Sequence, residues 1–128
     1  MEDIVTRADL ELLLSDFYKR LLNNNDISYI FTEVAKIDLS SHLPHIVDFW
    51  EQALFGRGNY RKNVLQVHLD LNSKSPLLKE HFQIWLKILS CTIDDLFQGV
   101  NAEKLKTKAL SIATIMQIKL QQSQAENI

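Results

Sequence analysis

Glycine and proline are scarce in this chain of 128 residues, with three and two copies respectively. So little turn-forming material excludes collagen-like and low-complexity sequence and leaves long helices few interruptions. Cysteine occurs once, as Cys91, so no disulfide can form within the chain, and a reducing compartment suits it. No apolar run approaches the roughly 20 residues of a membrane span. The opening Met1-Glu2-Asp3-Ile4-Val5 is acidic, where a secretory signal is basic and then apolar. A basic stripe is missing too: the net charge is -2 and the lysines and arginines are scattered, which disfavours nucleic acid. These absences predict a cytoplasmic single domain over residues 1–128, with no membrane or nucleic-acid partner; a monomer is the expectation, although nothing in the sequence decides whether the chain pairs with itself. What is present is 46% hydrophobic and 23% charged, enough for one core and one small-molecule pocket.

Apolar residues recur at helical spacing, so the fold class is all-α. Thr6 followed by Asp9 reads as an N-cap with an acidic third position. Behind it Leu10, Leu13, Leu14, Phe17 and Leu21 form one stripe that stops at Asn23-Asn24-Asn25-Asp26. Residues 27–34 form a short apolar segment of one or two turns that ends at Asp38-Leu39-Ser40-Ser41. Ser40 or Ser41 is expected to cap the next helix, with Pro44 in its first turn and Gly56 ending it. A short amphipathic piece from Arg61 to Leu69 comes next, and Ser75 and Pro76 then read as the N-cap and first residue of another helix. That helix carries Leu78, Phe82, Trp85, Ile88, Leu89, Ile93 and Leu96. A last one, from Ala102 to Gln124, turns Leu105, Ala109, Ile112, Ala113, Met116 and Leu120 inward.

Polar side chains on core-facing stripes are informative, because burying them without a partner costs about 1–3 kcal/mol. Tyr18, His42, His45, His68 and Trp85 are such residues. Taken alone, His68 reads either as a histidine favoured by a helix C-terminal dipole or as a metal or haem ligand. His42 and His45 have a spacing that can share one metal, with Asp48 as a third donor, but the His-Glu-x-x-His signature is missing. Trp85 and Tyr18 read as core aromatics whose polar tips need partners. His81, between Glu80 and Phe82, reads as a surface histidine, and Cys91 as a small buried hydrophobe. Asp94 and Asp95, about 100 degrees apart on a helix, read as a solvated face. No Gly-x-Ser-x-Gly, phosphate-cradling glycine loop, flavin motif or cysteine pair is present.

The ordered set goes further. Phe17-Tyr18, Ile30-Phe31, His42 with Phe49-Trp50, Gly56-x-Gly58-x-Tyr60, His68-Leu69-Asp70-Leu71 and Phe82-x-x-Trp85-Leu86 together resemble the truncated haemoglobins of the third group. The Gly-Gly pairs of the first two groups are missing, in keeping with that. The resemblance covers residues 17–89 and extends to the last helix by pattern. It implies a truncated globin fold with helices sandwiched around one haem b. His68 would be the proximal iron ligand, Tyr18 and Trp85 hydrogen-bond donors to a distal ligand, and His42 a gate on the same side. It further implies a pocket lined by Phe31, Ile46, Phe49 and Trp50, while Arg57, Tyr60 and Arg61 fall where the chain should meet the haem propionates.

The implied function is binding of dioxygen, carbon monoxide, nitric oxide or another diatomic ligand. Its use would be oxygen binding or transport, or redox chemistry such as nitric oxide dioxygenase or peroxidase-like activity fed by a separate electron-donating reductase. A haem-based gas sensor and a cofactor-free helical interaction module are the alternatives.

Overall fold

The computed structural model describes residues 1–56 and 64–126 of the chain, the side chains of 64–65 and 123–126 excepted. The described residues form five α-helices and one π-helical turn: α1 (Arg7–Leu22), the turn Ile30–Val34, α2 (Leu39–Phe55), α3 (Val64–Lys74), α4 (Lys79–Leu96) and α5 (Val100–Glu126).

α1 begins at the capping box read from the sequence. Thr6 Oγ1 accepts the Asp9 backbone N–H at 3.1 Å, and Asp9 Oδ2 accepts the Thr6 N–H at 3.0 Å, so both exposed donors are satisfied. Behind that cap the whole stripe of Leu10, Leu13, Leu14, Phe17 and Leu21 is buried. Each such side chain contributes about 1.5–3 kcal/mol by leaving water. α2 starts earlier than the serines predicted. Asp38 is its N-cap and takes the Ser40 backbone N–H at 3.2 Å, while the Ser40 and Ser41 hydroxyls also donate to it, at 2.9 and 3.0 Å. Pro44 therefore sits beyond the first turn, inside the helix. α2 closes on Gly56 at φ 70, a left-handed conformation that glycine adopts without a Cβ penalty.

α3 runs on to Lys74, five residues past the predicted end. Ser73 Oγ donates to the Asp70 carbonyl at 2.6 Å and Gln66 donates to Asp70 at 2.9 Å, so Asp70, Ser73 and Lys74, from the segment read as a break, lie on the exposed face of a continuous helix. Asn72 Oδ1 takes the Leu77 N–H at 2.9 Å, which ties the linker down and delays α4 to Lys79, three residues after the Pro76 start that was expected. α5 is capped by a distant residue. The Asp3 carboxylate accepts the N–H groups of Asn101 and Ala102, both at 2.9 Å, and the Asn101 side chain donates to the Ile4 carbonyl at 2.7 Å. Gly99, at φ 152, lies so close to the Asp3 side chain that a Cβ would collide with it.

Helices α1 and α2 pack on each other, α1 also packs on α4, and α5 packs on α2, α3 and α4. Ion pairs reinforce these contacts. Arg7 spans from α1 to Asp48 and Glu51 of α2 at 2.8 and 3.1 Å, Arg20 reaches Asp95 of α4 at 2.9 Å, and Lys106 of α5 meets Asp94 of α4. Asp94 and Asp95 are thus exposed yet engaged. α3 thus packs mainly on α5, away from the α1–α2 contact.

Candidate functional site

The sequence-derived residues fall into two groups. On one side, Tyr18 of α1 is buried, 5% exposed, and its hydroxyl lies 3.2 Å from Nε2 of the partly buried His42 on α2. The two rings meet edge to face with centroids 5.5 Å apart, and Phe31 of the π-helical turn meets Tyr18 in the same way at 5.8 Å. Phe17, at the base of the cluster, touches both the Tyr18 ring at 5.4 Å and the Trp85 ring of α4 at 5.8 Å. Tyr18, His42, Phe31 and Trp85, drawn from four separate elements, are therefore linked through ring contacts. Sequence reading did not single out Phe17 as the bridge, although its place on the α1 stripe was visible.

Burial pushes the Tyr18 hydroxyl well above the ordinary tyrosine pKa, because a phenolate there would lose its hydration. The group stays protonated and remains a donor. The indole N–H of Trp85, which is partly buried, meets no hydrogen-bond acceptor among the described residues. α2 lines this side with Ile46 and Phe49, both partly buried. Trp50, 3% exposed, turns into the core with Val47 and Leu54 and packs edge to face on Phe49 at 5.2 Å.

The second group is His68, partly buried in the middle of α3, which packs mainly on α5. The reading of His68 as a helix C-terminal histidine is corrected by the length of α3, which continues for six residues beyond it. His68, Leu71, Asn72 and Ser75 follow the i, i+3, i+4, i+7 spacing and are the partly buried stripe of this segment, while Gln66 and Asp70 face solvent. Arg57, Tyr60 and Arg61 lie outside the described residues.

His45 is exposed, and among the described residues no cluster of three histidine, cysteine, aspartate or glutamate side chains is placed to hold a metal ion. Two expectations are corrected. His81 is buried, 8% exposed, because Tyr29 from the segment after α1 covers it, and Cys91 is exposed, because the buried position beside it is Thr92, whose hydroxyl donates to the Ile88 carbonyl at 2.7 Å.

The donor set suits a flat, apolar cofactor with one axial ligand. An imidazole can be offered from α3. Phe31, Ile46, Phe49 and Trp85 are apolar faces that the protein itself leaves partly uncovered, and the polar tips on that side are neutral donors rather than charges. Among the described residues α3 packs substantially on α5 and not on α2, although α2 and α3 are consecutive helices.

A short all-helical chain of this architecture has the truncated globin fold. No protein-family model matches the chain. It is 25% identical over 118 residues to the group 3 truncated haemoglobin of Campylobacter jejuni, covering 90% of this chain and 91% of that protein. It superposes on the crystal structure of a group III truncated haemoglobin from Campylobacter jejuni with a TM-score of 0.83 at 26% identity, covering 94% of this chain and 95% of the other. In sequence and in fold the chain is similar to group III truncated haemoglobins. No helix among the described residues is long and apolar enough to cross a membrane.

Proposed function

We propose that the chain binds haem b through His68 and takes up dioxygen or another diatomic gas beside Tyr18, His42 and Trp85. The observation that carries this reading is the assembly around Tyr18. A buried, protonated hydroxyl 3.2 Å from His42 Nε2 and ring-packed on Phe31 is a costly arrangement for a core that needs only apolar filling. Similarity to proteins named as truncated haemoglobins supports the same reading.

Haem, when bound, supplies an iron that takes up diatomic gases. His68 would hold it through its imidazole. Phe31, Ile46 and Phe49 exclude water around the ligand, and Trp50 stiffens α2 from behind. Arg57, Tyr60 and Arg61 are the candidates for the propionates. Tyr18 and Trp85 serve as the donors to the ligand. His42 competes with the ligand for the Tyr18 hydroxyl and so acts as a gate. Two donors acting together favour tight retention, which suits oxidation of nitric oxide or reduction of peroxide, with electrons from a separate reductase, better than transport.

Titration of the purified chain with haemin tests the assignment. One equivalent should be taken up, with an intense Soret band that shifts on reduction and again with carbon monoxide. A chain that stays helical and colourless would reject the assignment in favour of a cofactor-free interaction module.

A further inference from the structure

Tyr29 and His81 form a second tyrosine–histidine pair, built on different elements from the first. Tyr29 immediately precedes the π-helical turn that carries Phe31, and His81 is in the first turn of α4, four residues before Trp85. The Tyr29 hydroxyl lies 3.0 Å from His81 Nε2, and the ring centroids are 5.8 Å apart. On the other side of the ring, the Leu78 backbone N–H donates to His81 Nδ1 at 2.9 Å. A nitrogen that accepts a hydrogen bond carries no proton, so the neutral ring has its proton on Nε2, and Nε2–H donates to the Tyr29 oxygen. These two bonds fix the tautomer, the ring plane and the start of α4.

We propose that the Tyr29–His81 pair is a positioning element for the ligand site, which sets Trp85 relative to Phe31 and Tyr18 and releases its hold on the Leu78 N–H, at the start of α4, when the imidazole gains a second proton. The proposal rests on the ligand site described under Proposed function. His81 and Trp85 share a face of α4 by their i, i+4 spacing, and Trp85 meets Phe17 at 5.8 Å. Beyond Tyr29 the chain passes through buried Ile30 to Phe31, whose ring meets Tyr18 at 5.8 Å. A proton on Nδ1 faces the Leu78 N–H, donor against donor, so the first turn of α4 loses its cap.

The groups that face the ring besides Tyr29 are few. Asp26, from the loop after α1, and Glu80 and Lys87 of α4 line, together with His81, an open surface cavity of about 530 Å³. Burial lowers the pKa of the ring and the Glu80 charge opposes that shift.

Long-range proton–nitrogen NMR on the full chain as purified, followed from about pH 8 to about pH 5, tests the proposal. The ring should start in the Nε2–H form. On acidification the Leu78 amide, the Trp85 indole and the Phe31 amide should shift with the midpoint of the His81 ring. His81→Gln keeps an acceptor for the Leu78 N–H, as glutamine does in a capping box, but cannot titrate, so the component that follows His81 should vanish from all three signals. In Tyr29→Phe the Leu78 and Trp85 signals should still follow His81, while Phe31 no longer does. A ring in the Nδ1–H form, or Trp85 and Phe31 signals indifferent to the His81 titration, would overturn the proposal. These readouts need no haem, so they fail separately from the haem assignment. In haem-loaded protein, ligand dissociation should speed up several-fold on acidification in the parent chain and not in His81→Gln.

Discussion

The two tyrosine–histidine pairs share a geometry, with hydroxyl to Nε2 distances of 3.2 and 3.0 Å and edge-to-face rings 5.5 and 5.8 Å apart, but they bury opposite partners. In Tyr18–His42 the phenol is inside, and in Tyr29–His81 the imidazole is. Burial disfavours whichever charge the inner group would carry, so it raises the pKa of Tyr18 and lowers that of His81. One chemical pair therefore yields two devices. The first keeps a protonated, neutral hydroxyl across the physiological pH range, as the proposed donor role requires. The second holds a neutral acceptor that fails only in acid.

The strongest way to break this comparison is to remove what connects the pairs. Phe17 is 1% exposed and touches the rings of both Tyr18 and Trp85, so Phe17→Ala should cost about 3–5 kcal/mol, read from the urea unfolding midpoint. Next is the donor itself. In haem-loaded protein Tyr18→Phe should speed oxygen dissociation about tenfold to hundredfold, the worth of about 1.5–3 kcal/mol for a hydrogen bond to a charged group, with a smaller effect from Tyr29→Phe at neutral pH.

His81 sharpens the contrast through acid stability. Its folded pKa lies below the ordinary 6.5, so between the two values the unfolded chain binds more protons. The stability it contributes is complete above about pH 6.5 and is lost as pH falls through the folded value. His81→Ala should cost about 1–2 kcal/mol at neutral pH and flatten the acid limb of the unfolding free energy. The smallest effect serves as the control. Asp3 caps α5 far from both pairs, and although burial raises its pKa, the N–H donors of Asn101, Ala102 and Ile4 outweigh burial and lower it overall. Asp3→Ala should cost about 1 kcal/mol by unfolding and leave ligand rates unchanged.

The contrast also marks how far the sequence could be read. The α1 stripe, its Thr6–Asp9 capping box, the Gly56 stop and the inward face of α5 all follow from local spacing, and all are present. What escaped is decided at long range. His81 sits among the exposed Lys79, Glu80 and Gln83 and is buried by a tyrosine 52 residues away. Asp3 caps a helix 98 residues on, which no local pattern encodes. Cys91 and Thr92 differ by one position, too fine a distinction for periodicity, and the hydroxyl of Thr92 is hidden by its own backbone bond. The Tyr18, His42 and Trp85 set became legible only as an ordered group, since Tyr18 and Trp85 alone read as core aromatics and His42 alone as a core-facing histidine spaced to share a metal with His45.

The central claim is that His68 would hold the haem iron, and ligand rescue tests it most directly. Visible spectra of haem-reconstituted His68→Gly, with and without added imidazole, should be compared with the parent chain in reduced and carbon monoxide forms. The account predicts a weakened and altered Soret band that imidazole restores, because the small ligand fills the place of the missing side chain. Spectra of His68→Gly identical to the parent without imidazole would contradict it.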